Sequence, residues 1–116
     1  MMKILTFLLF AAFLISCSKP VVSLEVENHS GNEVDSLIVS NGYDYWSYGK
    51  IGINEKIKGK LIFSEKVRND GGYQLTIFRN NKIKSFRYGY YTNGLPSSNQ
   101  IDIEIEKDTV KMNEIF

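Results

Sequence analysis

The chain has 116 residues, 43% of them hydrophobic and 23% charged, with a formal net charge of +1. That length holds one domain with one core, and near-neutrality excludes the strongly basic footprint of a nucleic-acid binder. A single cysteine excludes a disulfide framework.

The first twenty residues stand apart from the rest. After Lys3 an uncharged run extends from Ile4 to Ile15, twelve residues that as a helix span about 18 Å, short of the roughly 30 Å of a bilayer core. A basic start, a short apolar stretch and small residues at its close are the marks of an export signal.

The run ends in Leu14-Ile15-Ser16-Cys17, which resembles the lipobox of bacterial lipoproteins. That resemblance implies removal of residues 1–16, a diacylglycerol on the Cys17 sulfur and an acyl chain such as palmitate on its new amino group. The mature protein is then held by lipid, since two or more chains anchor stably where one does not. Residues 17–20 become the lipidated cysteine and a short tether, and residues 21–116 the domain. Ser18 in place of an inner-membrane-retaining aspartate, with no acidic run after it, implies the outer membrane and its periplasmic face.

With Lys3 gone, thirteen Lys and Arg balance thirteen Asp and Glu. The distribution is uneven: Lys56, Lys58, Lys60, Lys66, Arg68, Arg79, Lys82, Lys84 and Arg87 meet only Glu65 and Asp70 in their interval. Such a segment is either a patch for an anionic surface or a set of cations paired across a sheet with acids from the flanks. Zero net charge favours the pairing.

From Val21 the chain alternates, with Val22, Leu24 and Val26 against Ser23, Glu25 and Glu27, as in a half-buried strand. The Asn28–Asn32 turn cluster leads to a second strand over residues 34–40, and the two are expected to form a hairpin. Asn41-Gly42 is a turn signal, and Tyr43 to Ile53 reads as one long strand with glycines that allow a bulge. Lys56 to Val67 follows with Ile57, Leu61 and Phe63 as its apolar side chains, and Arg68 to Gly72 is a loop.

Tyr73, Leu75 and Ile77 alternate with Gln74, Thr76 and Phe78, and Asn80-Asn81 is a two-residue hairpin that returns the chain as residues 82–92. Thr92 to Asn99 is the longest irregular stretch. Ile101, Ile103 and Ile105 then alternate with Asp102, Glu104 and Glu106, and Thr109 to Phe116 is a last strand carrying Val110 and Met112 on one side. Seven to eight short strands with frequent turns predict an all-β fold, a single antiparallel β-sandwich of immunoglobulin-like type, after an N-terminal signal helix.

Chemistry-bearing residues are sparse. His29 is the lone histidine and sits in a turn, whereas metal sites combine several ligands. Asp102, Glu104 and Glu106 share one strand face and point outward side by side, unlike ligands converging from a calcium loop. No Gly-x-Ser-x-Gly elbow is present. The expectation is no enzyme, no metal and no cofactor beyond the acyl groups on Cys17. Asp35-Ser36-Leu37 and Asp108-Thr109-Val110 resemble the O-glycosylation sequons of Bacteroidetes.

The aromatic segments are the remaining signal. Tyr43, Tyr45, Trp46 and Tyr48 lie on one expected strand, and Phe86, Tyr88, Tyr90 and Tyr91 on another. Alternation sends some inward and some outward. Exposed members, with Asn93 at the loop edge, suit a surface for an envelope protein or glycan. The functional expectation is therefore a non-catalytic, membrane-anchored binding module; the alternatives are an accessory subunit pairing through strand edges and, more weakly, an enzyme.

Overall fold

In Val21–Asn28 (β1) the period-two pattern does what it dictates: Val22, Leu24 and Val26 are buried, while Ser23, Glu25 and Glu27 stay half-buried on the other face. The structure, a computed structural model, describes residues 19–116. The leader, its expected signal helix and Cys17 lie outside the described residues.

Every regular element among the described residues is a strand. After β1 come β2 (Ser36–Ser40), β3 (Tyr45–Tyr48), β4 (Lys56–Ile62), β5 (Gly71–Arg79), β6 (Lys82–Thr92), β7 (Leu95–Pro96), β8 (Gln100–Ile105) and β9 (Val110–Ile115). They form two sheets, ordered β4-β1-β8-β9 and β3-β2-β5-β6-β7. Among the described residues no helix is long and apolar enough to cross a membrane.

Several local expectations give way to long-range pairing. β1 and β2 form no hairpin but belong to different sheets, and β1 lies between β4 and β8. Its pairing with β8 is parallel, Leu24 opposite Ile101 and Val26 opposite Ile103, so the first sheet is mixed rather than antiparallel. The crossing between sheets is built on Asn28. Its buried amide donates to the carbonyls of Asn32, Ile51 and Gly52, and its Oδ1 accepts from the Ser30 N–H and hydroxyl. A polar side chain so fully satisfied can be buried without penalty, and it turns the chain out of one layer into the other.

The long strand expected over residues 43–53 is shorter. Only Tyr45–Tyr48 pairs continuously, and Ile51 makes one isolated bridge to Val34. Gly71 and Gly72 are not loop but the start of β5, where the register shifts opposite Tyr88 to Tyr91. In the stretch expected to be irregular, Asn93 and Gly94 both adopt positive φ (52° and 72°) and bring Leu95–Pro96 back onto β6, which supplies the strand beyond the expected eight. Asn80 and Asn81, at φ 52° and 60°, make the expected two-residue hairpin.

The buried faces of both sheets share one core, with Val22, Leu24, Val26, Leu61, Ile101, Ile103 and Ile105 from the first and Leu37, Val39, Tyr73, Leu75, Ile77 and Tyr91 from the second. Phe63, Tyr73 and Tyr91 meet edge to face, Phe63 and Tyr91 at 5.1 Å between centroids. Each such side chain contributes about 1.5–3 kcal/mol on leaving water. The Trp46 indole of β3 packs closely on Gly59 of β4, so that a side chain at position 59 would collide with it.

Strand directions give the domain two distinct ends. At the near end, where β1 begins, lie the 41–44 turn, the 63–70 loop, the Asn93-Gly94 turn and the finish of β9. The Gly94 N–H donates to the Asn69 carbonyl there, and the Phe63 N–H to that of Pro20. At the far end lie the 29–35 crossing, Asn54, the Asn80-Asn81 hairpin and the β8–β9 turn.

Candidate functional site

The expected aromatic surface is split by the fold. β3 and β6 are separated by β2 and β5 within their sheet, so their aromatics do not make one continuous platform. Tyr43 is pushed outward by a turn in which the Asn41 Oδ1 accepts the N–H groups of Tyr43 and Asp44 at 2.9 and 2.7 Å. Asp44 in turn accepts the Ser64 N–H at 2.8 Å. Tyr45 follows on the outer face of β3 and is 74% exposed. Trp46 points inward over Gly59, with Tyr48 beside it at 6.1 Å between centroids.

On β6, Tyr88 is half-buried and Tyr90 is exposed. The Tyr90 hydroxyl donates to Asp70 Oδ2 at 2.9 Å, and the Asn93 N–H donates to Oδ1 of the same carboxylate at 2.9 Å. The Asn93 and Tyr90 bonds hold the Asp70 pKa down, and the Asp70 bond holds the Tyr90 pKa up. Tyr91 is no surface residue: it is 2% exposed, and its hydroxyl donates to the Asn41 carbonyl at 2.6 Å. The cause is Gly89, whose φ of 76° places an irregularity in β6 and reverses the alternation beyond it.

What unites the outward aromatics is the near end of the domain. Tyr43, Tyr45 and Tyr90 are exposed there together with Val21 and Ile62, which are cross-strand partners, and with Leu95, Ile115 and Phe116. Of the exposed large apolar side chains among the described residues, only Tyr48, Ile53 and Ile83 lie elsewhere. A shallow cavity of about 330 Å³ opens at this end between Lys19, Tyr43, Asp44, Tyr45, Lys60, Ile62 and Ser64.

The far end holds a different site. A groove of about 250 Å³ opens where β6 and the β8–β9 turn diverge, lined by Ile77, Arg79, Lys82, Lys84, Phe86, Ile105, Lys107 and Val110 among others. Arg79 and Ile77 of β5 stand opposite Lys82 and Lys84 of β6, on the face that carries the core further along the strands. The Arg79 Nη2 donates to the Lys107 carbonyl at 3.3 Å, while its Nη1 is buried without a partner. Sequence reasoning did not find this groove. The signal it offered was the period-two set Lys82, Lys84, Phe86 and Tyr88, which puts two cations on an aromatic face.

No family model matches the chain, and no curated protein matches it. In shape it is similar to a protein from Eubacterium rectale solved by NMR, with a TM-score of 0.53 and 14% identity over 83% of this chain and 89% of that one. At that identity the likeness shows the fold alone.

The charged segments divide between pairing and surplus. On β4, Lys56 and Lys58 stand opposite Glu27 and Glu25 of β1, and Lys56 forms an ion pair with Glu25. Arg79, Lys82, Lys84 and Lys107 form no ion pair among the described residues. The parallel β1–β8 register also brings His29 to Glu104 and Glu106, with one donor atom of each within 4.8 Å of the others. The His29 Nε2 lies 2.8 Å from Glu27 Oε1. That bond, aided by the charges of Glu27, Glu104 and Glu106, raises the imidazole pKa above its ordinary value. The two triplets that resemble sequons separate likewise, Ser36 half-buried within β2 and Thr109 exposed in the β8–β9 turn.

Proposed function

We propose that this chain is a lipid-anchored, non-catalytic binding protein of the bacterial cell envelope, held by acyl chains on Cys17 to the outer membrane and facing the periplasm. Its two sheets are read as an immunoglobulin-like sandwich in architecture, because sandwich domains share that layering without sharing strand connections. The observation that carries the reading is the gathering of exposed Tyr43, Tyr45, Ile62, Tyr90 and Leu95 at the end where β1 begins.

Lys19 is two residues beyond Cys17, and an extended chain advances at most about 3.6 Å per residue, so an anchor at Cys17 keeps this end against the headgroups. Tyrosines suit a membrane–water boundary, where one end of the ring is apolar and the other wet. Lysines such as Lys19 and Lys60 lay their stems on apolar surface with the ammonium in water. The near end then rests on lipid, and an envelope protein or glycan is met by the half that faces away.

A second reading, strand-edge pairing in an envelope assembly, draws on one observation: β7 pairs only with Tyr91 and Thr92, leaving the rest of β6 an open edge. Lys82, Lys84 and Arg87 along that edge weigh against it, as charged edges deter added strands. The anchoring reading is tested by intact mass and radiolabelled palmitate. The expected product begins at Cys17 and carries label that a Cys17→Ser change abolishes; a product that keeps Met1 and takes up no label refutes the proposal.

A further inference from the structure

We propose that the far-end groove binds a small organic anion, an apolar ring or short chain carrying one oxyanion group. The inference goes beyond the anchoring reading and does not depend on it, because every group it uses lies between residues 77 and 110.

The groove follows from the register. β5 alternates Tyr73, Leu75 and Ile77 toward the core, and the next inward position is Arg79. A guanidinium brought to the edge of an apolar layer is costly unless its donors are satisfied. Here one long bond to the Lys107 carbonyl is its only hydrogen bond among the described residues, and Nη1 is buried without an acceptor. Across the strand pair, Lys82 and Lys84 add two ammonium groups, and Lys107 adds a third from the opposite wall.

Glu106 and Asp108 also line the groove, yet neither comes within ion-pair distance of these four cations. Donors therefore outnumber acceptors at a place where a planar guanidinium can offer two parallel N–H groups, the geometry that carboxylates and phosphates accept. Beneath that rim the lining turns apolar, with Phe86 and Val110 half-buried and Ile77 and Ile105 belonging to the core.

An inorganic ion would leave the apolar floor empty, and a neutral apolar molecule would leave the cations unpaired. One molecule with both parts fills both needs. The volume of about 250 Å³ lies just under the common ligand-pocket range of about 300–1,000 Å³, which favours a single ring or short chain over a long acyl tail.

The test is a methyl NMR titration of the full chain as the cell processes it, held in non-ionic detergent. Benzoate, phenyl phosphate, inorganic phosphate and benzamide serve as probes. Saturable shifts of the Ile77, Ile105 and Val110 methyls are expected with benzoate or phenyl phosphate, and which is tighter tells carboxylate from phosphate. Benzamide, the neutral isostere, and inorganic phosphate are each expected to bind at least about tenfold more weakly.

Arg79→Gln should weaken the better anion by about tenfold or more, and Lys60→Gln at the other end should leave it unchanged. If Arg79→Gln fails to fold, the combined Lys84→Gln and Lys107→Gln change, at two exposed side chains, takes its place with the same expected loss. The inference is overturned if neither organic anion moves those methyls saturably, if benzamide binds as well as benzoate, or if a folded groove variant binds as the wild type does.

Discussion

Tyr73 and Tyr91 stand edge-on to each other at 5.7 Å between centroids, yet their hydroxyls have opposite circumstances. That of Tyr91 donates to the Asn41 carbonyl, whereas that of Tyr73 is buried without a partner and its pKa is driven upward, chiefly by burial. Leaving a buried polar group unmatched costs about 1–3 kcal/mol, and a made bond contributes about 1. Tyr91→Phe should therefore lower unfolding stability by about 1–2 kcal/mol, and Tyr73→Phe should leave it unchanged or raise it by about 1 kcal/mol, both read from denaturant midpoints. His29 supplies the pH dependence. Its folded-state pKa is raised above 6.5 by Glu27 first and then by the surrounding carboxylates, so its contribution is fully present below about pH 6.5 and fades as pH rises through the raised value. A His29→Gln variant should lose that part of the pH profile, and an unaltered profile between pH 5 and about 8 would show that the pairing carries no stability.

At the level of single elements, the strands with clean alternation were legible because period two is a local property. Val22-Leu24-Val26, Tyr73-Leu75-Ile77 and Ile101-Ile103-Ile105 bury as their spacing dictates. Partner choice was not legible, since nothing within Val21–Asn28 says that one neighbour will run antiparallel and the other parallel. Both Tyr90 and Tyr91 were candidates for the surface, but only Tyr90 stays out, because of Gly89, a strand glycine whose positive φ no neighbouring residue announces. The far-end groove needs β5, β6 and the β8–β9 turn to be brought together, so in one dimension its cations read as part of a basic segment paired across the sheet. Turn chemistry was half legible: Asn80-Asn81 met expectation, while Asn93-Gly94 was a hairpin signal that its irregular surroundings concealed. Gly94 is the more demanding of these positions, because a Cβ there would meet the Val67 carbonyl in addition to the strain of φ 72°. Gly94→Ala should cost more than about 2 kcal/mol, with the loss visible as faster amide exchange across the 63–70 loop. An exchange pattern equal to wild type would mean that the turn relaxes freely.

On the scale of the whole molecule, the two ends divide the surface chemistry, apolar and tyrosine-rich where β1 begins and cationic where the Asn80-Asn81 hairpin lies. If acylated Cys17 sets the orientation, spin labels at positions 45 and 95 in bilayers of mixed zwitterionic and anionic lipid should show higher oxygen than nickel-chelate collision rates, and a label at position 83 the reverse. Equal accessibility at all three positions, in protein shown by mass to be acylated, would reject the orientation while sparing the anchor. One further consequence concerns force. The start of β1 and the finish of β9 emerge at the same end of one sheet, so tension applied between them bears on the ladder bonds of β8 and β9 one after another, as in opening a zip. A domain strung that way yields to gentle pulling.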